Sequence, residues 1–310
     1  MKNSPKITII IPVKNAGKTL QKTFDSIKLQ DYKNLELIVM DGLSTDNTME
    51  VIDNNMEIID TVISEKDDSS ASACNKAIGL STGDIINFLY GDDYFAENAL
   101  NRIAEAANEK NNFDIISYGL SIENLATRKI FLESKNKKNI SLNLNNILFK
   151  HVLNHFYRRE VFEKYGYLTP LYYDNSVFYS NDREFLIRLA LNNVKNYVIE
   201  DTLYKMTHHK DSYSGSRSGI VKIREEHIGI ADHYLQKKYN LSNYKKIKLI
   251  NFKAHNLSLL LVWYLYKINF KKFVYVFRQG FLLKRSYWFI DVIKCPISEI
   301  FYRMSVKKWM

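Results

Sequence analysis

Leu89-Tyr90-Gly91-Asp92-Asp93-Tyr94-Phe95 follows an apolar stretch, Ile85-Ile86-Asn87-Phe88-Leu89, that reads as a buried strand. A strand end that delivers two carboxylates into a crevice is where an α/β protein can hold a hard divalent cation against a phosphate. Adjacent carboxylates repel each other, and a bound cation relieves that repulsion. Gly-Asp-Asp is also good turn chemistry, so the tripeptide alone leaves a plain acidic turn open.

Working outward, strand and helix patterns alternate. Ile7 to Val13 is a first strand, and Leu20, Phe24 and Ile27 then recur at helical spacing. Leu35 to Met40 is a second strand ending at Asp41-Gly42. Ser44 or Asp46 can cap a helix running to about Asn54. Thr61-Val62-Ile63 is a short third strand, and a helix from about Ser70 to Leu80 stops at Ser81-Thr82-Gly83. Ala96 to Lys110 reads as a further helix and Asp114 to Leu120 as a strand. This alternation predicts an α/β fold with a mostly parallel, Rossmann-like sheet flanked by helices. Ligands in such sheets sit at the carboxyl ends of the strands. Asn15, Asp41 and Asp92-Asp93 all fall at or just after such ends.

The pattern weakens from about Glu123 to Asn146, where Glu133 to Asn139 reads as a surface loop. It returns at His155 to Phe162. Asn181-Asp182 then caps a predicted helix, Arg183 to Leu191. Thr207 to Gly219, rich in Ser, Gly and His, reads as a mobile loop, and the chain beyond Arg224 reads as helical to its end.

The 310 residues suffice for a full core. Two cysteines, Cys74 and Cys295, suggest no disulfide framework, and a reducing, cytoplasmic setting fits. The apolar run behind Met1 to Lys6 is short and lacks a small-residue cleavage site, so no signal peptide is expected. The longest apolar stretch, Leu257 to Tyr266, is far below the roughly 20 residues that span a bilayer. The net charge of +10 is uneven: residues 222–310 carry 18 Lys+Arg against 5 Asp+Glu, and the remainder 26 against 29. An anionic partner is therefore expected at the tail.

The motifs taken together resemble the inverting family 2 glycosyltransferases, which have the GT-A fold. Ile9-Ile10-Ile11-Pro12-Val13-Lys14-Asn15 looks like the family's opening, and Leu37 through Thr48, with Asp41-Gly42, like its second motif. Ser64-Glu65-Lys66-Asp67 through Asn75-Lys76-Ala77-Ile78 is similar to a subgroup linked to bacterial capsule, exopolysaccharide and lipopolysaccharide synthesis. Gly91-Asp92-Asp93 occupies the place of the family's metal-binding motif. The resemblance is continuous over about 6–110 and patchy to about 215. It implies a nucleotide-sugar-binding half at 1–110, an acceptor-binding half of the same domain at 111–220, and a basic, aromatic helical extension at 221–310.

Carried over residue by residue, the resemblance implies that Pro12, Val13 and Asn15 line a nucleotide pocket. Asp41 would accept a hydrogen bond from uracil, Lys76 would approach the diphosphate, and Asp92 would contact ribose or metal. Asp93 would ligate Mn²⁺ or Mg²⁺, and His209, or its neighbour His208, would reach the metal or diphosphate. Asp182, ahead of Phe185-Leu186-Ile187-Arg188-Leu189-Ala190, would be the base that deprotonates an acceptor hydroxyl, with Asp174 the fallback. Each has a plainer role open to it: a turn for Asp41, a solvated lysine for Lys76, a helix cap for Asp182. His155 and Arg158 either face the acceptor or pack. Ser69-Ser70-Ala71-Ser72 stands where relatives tend to have Gly-Ile-Tyr-Asp, so an aromatic ring and a carboxylate are lost from the donor side.

The expected reaction moves a sugar from a UDP-sugar to a cell-surface glycan, lipid-linked and presented at the cytoplasmic face of the plasma membrane. Residues 251–310 hold 15 aromatics among many Lys and Arg, a composition suited to an anionic headgroup zone. Nucleic acid is not expected, because no nucleic-acid module appears. A dehydrogenase is disfavoured by the lack of Gly-x-Gly-x-x-Gly after the first strand. A sugar nucleotidyltransferase would need a basic, Gly-rich phosphate loop where only Gly17-Lys18 stands. A catalytically inactive nucleotide-sugar sensor or membrane scaffold predicts UDP binding without turnover.

Overall fold

The computed structural model describes residues 4–110, 112–125, 127, 129–134, 140–147, 152–168, 180–208, 217–266 and 269–284. The chain forms two compact units, residues 1–212 and 213–310.

Among the described residues, the first unit is built on one nine-stranded sheet. Its strands are β1 (Ile7–Val13), β2 (Leu35–Asp41), β3 (Thr61–Ser64), β4 (Ile85–Phe88), β5 (Tyr94–Phe95), β6 (Ile115–Asn124), β7 (Ile130–Glu133), β8 (His155–Arg158) and β9 (Asn196–His208). The spatial order is β3-β2-β1-β4-β8-β6-β9-β5, with β7 paired to β6. The helices among the described residues are α1 (Leu20–Lys28), α2 (Thr48–Asp53), α3 (Ser70–Leu80), α4 (Ala99–Glu109), α5 (Arg159–Tyr165) and α6 (Asn181–Leu191).

β1 is buried along its whole length, as a largely apolar run covered on both faces must be, and its one hydroxyl, Thr8, donates to Glu36. It pairs in parallel with β2, from Ile7 opposite Leu35 to Val13 opposite Asp41, and with β4, from Ile7 opposite Ile85 to Ile10 opposite Phe88. The chain builds β2 and β3 on one side of β1 and then crosses to place β4 on the other. That reversal opens a crevice at the carboxyl ends of β1 and β4, where the chains leaving the two strands diverge.

The expectation of a mostly parallel sheet holds for β3-β2-β1-β4. Beyond β4 the ladder is mixed: β8 is antiparallel to β4 and β6, β9 is parallel to β6, and β5 is antiparallel to β9. The 13-residue β9 is absent from the sequence reading. Its solvent-side residues Glu200 and Asp201 interrupt the alternation, and its pairing partner β6 lies some eighty residues away. β9 runs through His208 and the next helix begins at Arg217, so part of the stretch expected as a loop is ordered strand and helix. His209, Asp174 and the tail beyond Lys284 lie outside the described residues.

At the amino ends of these strands Glu36 ties three segments together. It accepts from Thr8 Oγ1 (2.6 Å), Thr82 N (2.7 Å), Thr82 Oγ1 (2.5 Å) and Lys6 Nζ (3.2 Å). Burial alone would raise its carboxyl, but these hydrogen bonds outweigh it and lower the group from 4.5 to about 2. A depressed carboxyl stabilises the fold above its unfolded value and loses that contribution as pH falls towards 2. Glu36→Gln is expected to cost roughly 2 kcal/mol at neutral pH. In thermal melts, its deficit against the wild type should shrink as pH drops below about 4.5.

The second unit contains α7 (Arg217–Tyr234), α8 (Asn243–Tyr266) and α9 (Phe270–Lys284). Leu257, Leu260, Leu261 and Tyr264 of α8 enclose Val276 of α9, with Phe273 and Phe277 packed against them. Asn256 of α8 accepts from Arg224 Nη1 of α7 (3.2 Å), and Tyr264 donates to Glu225 Oε1 (2.9 Å).

Candidate active site

The crevice at the β1 and β4 ends is a cleft of about 500 Å³. Its walls come from four segments: residues 12–16 at the end of β1, Met40 and Gly42 at the end of β2, 67–70 at the start of α3, and 90–92 after β4. Each wall is fixed by hydrogen bonds that follow from the local sequence. Asn15 takes a left-handed backbone (φ 54), which its short polar side chain tolerates. From there its amide donates to Ser44 Oγ (2.8 Å), while its side-chain oxygen accepts from Thr45 N (2.8 Å). Ala16 N reaches Thr48 Oγ1 (2.8 Å) and Gly17 N reaches Asp46 Oδ2 (3.1 Å). The loop after β1 is thus stitched to the loop after β2. Asp46 serves this junction and the first turn of α2, where it accepts from Thr48 N (3.0 Å).

Gly91 brings the β4 loop hard against β1. A methyl group there would lie 2.7 Å from Val13 Cγ1 and 3.2 Å from Ala16 Cβ. Gly91→Ala is therefore expected to push these loops apart and cost roughly 1–3 kcal/mol in stability, measured by thermal melting.

The acidic pair divides. Asp92 lines the cleft. Asp93 is only 2% exposed and points the other way. Tyr204 donates to its Oδ2 (2.8 Å) and Thr207 N to its Oδ1 (2.8 Å). Thr207 Oγ1 also donates to Asp92 O (2.6 Å). The pair therefore pins β9 behind the cleft as well as facing it. Burial, and then the Asp92 charge, push the Asp93 carboxyl well above the usual range.

Pro12, Val13 and Asn15 lie on the lining. Asp41 sits beneath the lining, fully buried. Its oxygens accept from Ser44 Oγ (2.5 Å) and Ser64 Oγ (2.6 Å). Lys76 is off the lining, paired with Glu65 (2.5 Å) and Asp67 (2.7 Å), and these two contacts raise its ammonium. His155 is buried beside Ser117 (2.6 Å), and Arg158 lies over the Phe113 ring (4.2 Å); both pack. His208 ends β9, paired in register with Asn124.

Tyr90, Asp67 and Asp68 line the cleft without having been singled out from the sequence. The signal was present: Asp67-Asp68 follows β3 much as Asp92-Asp93 follows β4. Asp67 Oδ2 is buried and has no hydrogen-bond partner, so the wall holds an acceptor ready for a donor or cation. Burial, and then nearby Cys74 and Asp182, push the Tyr90 hydroxyl well above its ordinary value, so it stays a neutral donor.

Asp182 stands in the first turn of α6, where Ser180 takes the cap position. Its Oδ1 accepts from Arg183 N (2.6 Å). Protein surrounds it on most sides although its edge reaches solvent. That desolvation raises its carboxyl, against the opposing pull of Arg183. It lies near enough to perturb both Tyr90 and Tyr157 electrostatically. Asp182 itself is not among the residues that line the cleft. The helix is held rigidly: Arg188 forks onto Glu184 (3.1 and 2.6 Å), and donates to the carbonyls of Tyr165 and Tyr167. Phe185 stacks on Phe162 at 5.5 Å.

For a divalent cation, the described residues offer no cluster of three or more His, Cys, Asp or Glu side chains. The donor set still fits Mn²⁺ or Mg²⁺, because such ions keep water and substrate phosphates in most of their shell and need one or two carboxylates. Asp92 on the cleft wall and the unpartnered Asp67 Oδ2 have the required hard-oxygen chemistry.

Comparison with known proteins places the fold and the family. The GalNAc(5)-diNAcBac-PP-undecaprenol beta-1,3-glucosyltransferase of Campylobacter jejuni is 34% identical over 109 residues, covering 34% of this chain and 35% of that protein. The chain spans about a third of the length of the first curated relatives it matches. Among solved structures, S. aureus TarS 1-349 in complex with UDP-GlcNAc superposes with a TM-score of 0.61 at 19% identity, over 82% of this chain and 72% of that one. Mannosyltransferase PcManGT from Pyrobaculum calidifontis, in complex with GDP-Man and Mn²⁺, gives 0.57 at 16% identity, over 94% and 87%. These likenesses establish the GT-A fold. Glycosyl transferase family 2 matches residues 8–166, half of the chain and every strand that bounds the cleft, and the protein belongs to that family.

Proposed function

We propose that the protein transfers a hexose from a UDP-sugar to a hydroxyl of a cell-surface glycan, with inversion at the anomeric carbon. One observation carries the reading: the switch-point cleft bears Asp92 on its wall together with Pro12, Val13 and Asn15 from the end of β1. The backbone around Pro12, Val13 and Asn15 receives the nucleoside, and Tyr90 donates a hydrogen bond into the cleft. Asp92 holds Mn²⁺ or Mg²⁺, which when bound stabilises the charge growing on the departing diphosphate. Asp182 takes the proton of the attacking hydroxyl as the new glycosidic bond forms opposite the leaving group. Asp41 supports the nucleoside end from beneath, by fixing Ser44 against Asn15.

UDP as donor nucleotide is favoured by the TarS complex, and a lipid-linked acceptor by the Campylobacter relative, which is named for an undecaprenol-linked one. That acceptor sets the reaction at the cytoplasmic face of a membrane. Melting with UDP, with and without Mn²⁺, tests the site. A metal-dependent rise of several degrees that vanishes in Asp92→Ala is expected. No rise with UDP or GDP overturns the reading. A rise without turnover across a panel of UDP-sugars and lipid-linked acceptors leaves a nucleotide-sugar sensor in its place.

A further inference from the structure

The second unit carries a two-faced helix whose outer face has a specific chemistry. At 100° per residue, Lys271, Val274, Tyr275, Arg278, Phe281 and Leu282 of α9 fall within an arc of about 120°. All six are exposed, the apolar ones heavily: Val274 60%, Tyr275 66%, Phe281 47% and Leu282 68%. The opposite face, with Phe273, Val276 and Phe277, packs on α8 and accounts for the folding of the helix pair. The outer residues contribute nothing to that core. An exposed row of large apolar side chains is costly in water unless something covers it.

The charge says what covers it. From Asn243 to Lys284 the sequence holds nine Lys and Arg and no Asp or Glu. Lys271 and Arg278 lie within the apolar row itself, so the covering surface must accept aliphatic and aromatic groups and anionic groups side by side. Bilayers containing acidic phospholipid offer that combination: headgroup phosphates at the depth of the cations, acyl chains at the depth of Phe281 and Leu282. Among the described residues no helix is long and apolar enough to cross a membrane, so the attachment is in the plane of the interface. We infer that the outer face of α9 docks on an anionic lipid surface, with the helix axis in the plane of the interface. This attachment is independent of sugar transfer and of nucleotide binding.

Co-sedimentation of the full chain with vesicles tests it, using phosphatidylglycerol mixed with phosphatidylcholine against phosphatidylcholine alone. The wild type is expected to bind the anionic vesicles at least tenfold more tightly and to be released by high salt. Tyr275→Ser with Leu282→Ser, and separately Lys271→Glu with Arg278→Glu, are each expected to weaken binding about tenfold, with unchanged melting temperature and UDP response. Equal binding to both vesicle types, or no loss in either folded variant, overturns the inference. So does a poly(U) RNA that strips the protein from vesicles at equal charge. A dimer that Leu282→Ser turns into monomer overturns it too, since the face would then serve a second copy. Were both variants to unfold, the lipid-charge and salt comparisons on the wild type would decide alone.

Discussion

Asp182→Asn is expected to reduce sugar transfer by roughly 10²- to 10⁴-fold while UDP binding remains that of the wild type. The amide keeps the size of the side chain and can still accept from Arg183 N, so the first turn of α6 keeps its geometry. What it loses is proton affinity, and a hydroxyl nucleophile feels that loss only in the transition state. The pH profile gives a second readout. Desolvation raises the Asp182 carboxyl, so the acid limb of kcat/KM should lie above the ordinary aspartate range, with rate falling as pH drops through it. The stability sign is opposite to that for Glu36. A raised carboxyl favours the fold when protonated and loses that contribution as pH rises through its folded value. Asp182→Asn should therefore melt at the same temperature as the wild type or slightly higher at neutral pH. An inactive variant that gains stability marks a group retained for chemistry. Near-full transfer by the variant would remove Asp182 from the base role.

The parallel half of the fold was legible because its determinants are local. β1, β2 and α3 read directly from an apolar run, an apolar run ending at Asp41, and helical spacing closed by Ser81-Thr82-Gly83. The strand ends pointed to Asn15, Asp41 and Asp92-Asp93, while Pro12 and Val13 came from the family resemblance. What sequence could not give was the direction of side chains whose partners are remote. Lys76 looked like a phosphate ligand until Glu65 and Asp67 were seen on either side of it. Asp41 looked exposed to a base until Ser44 and Ser64 closed over its oxygens. Both contacts depend on how the ends of β2 and β3 are set against each other, which no motif records. Arg188 gave a weaker signal. A charged residue among Phe185, Leu186, Ile187 and Leu189 breaks the apolar run, and its buried fork to Glu184 is what allows it there.

The acidic pair is the sharpest case, and its two members are expected to fail differently. Asp93→Ala removes the acceptor of Tyr204 and of Thr207 N in a site that water does not reach. Two stranded donors cost roughly 2–4 kcal/mol, which for a unit of this size lowers the melting temperature by about 5–10 °C. Because Thr207 and Tyr204 belong to β9, which is paired to β5 and β6, the damage should spread along that edge of the sheet. Hydrogen exchange should show it as faster exchange in 202–208. Asp93→Asn retains one acceptor for Thr207 N and turns its amide towards the Tyr204 oxygen, so most of the stability should return. Asp92→Ala removes a carboxylate from the cleft wall and should lose the metal-dependent response to UDP. If instead Asp93→Asn melts normally and alone loses that response, Asp93 turns into the cleft when metal and nucleotide bind. The contacts to Tyr204 and Thr207 would then be its resting position, and metal binding would have to break both, releasing the end of β9 as the donor site fills.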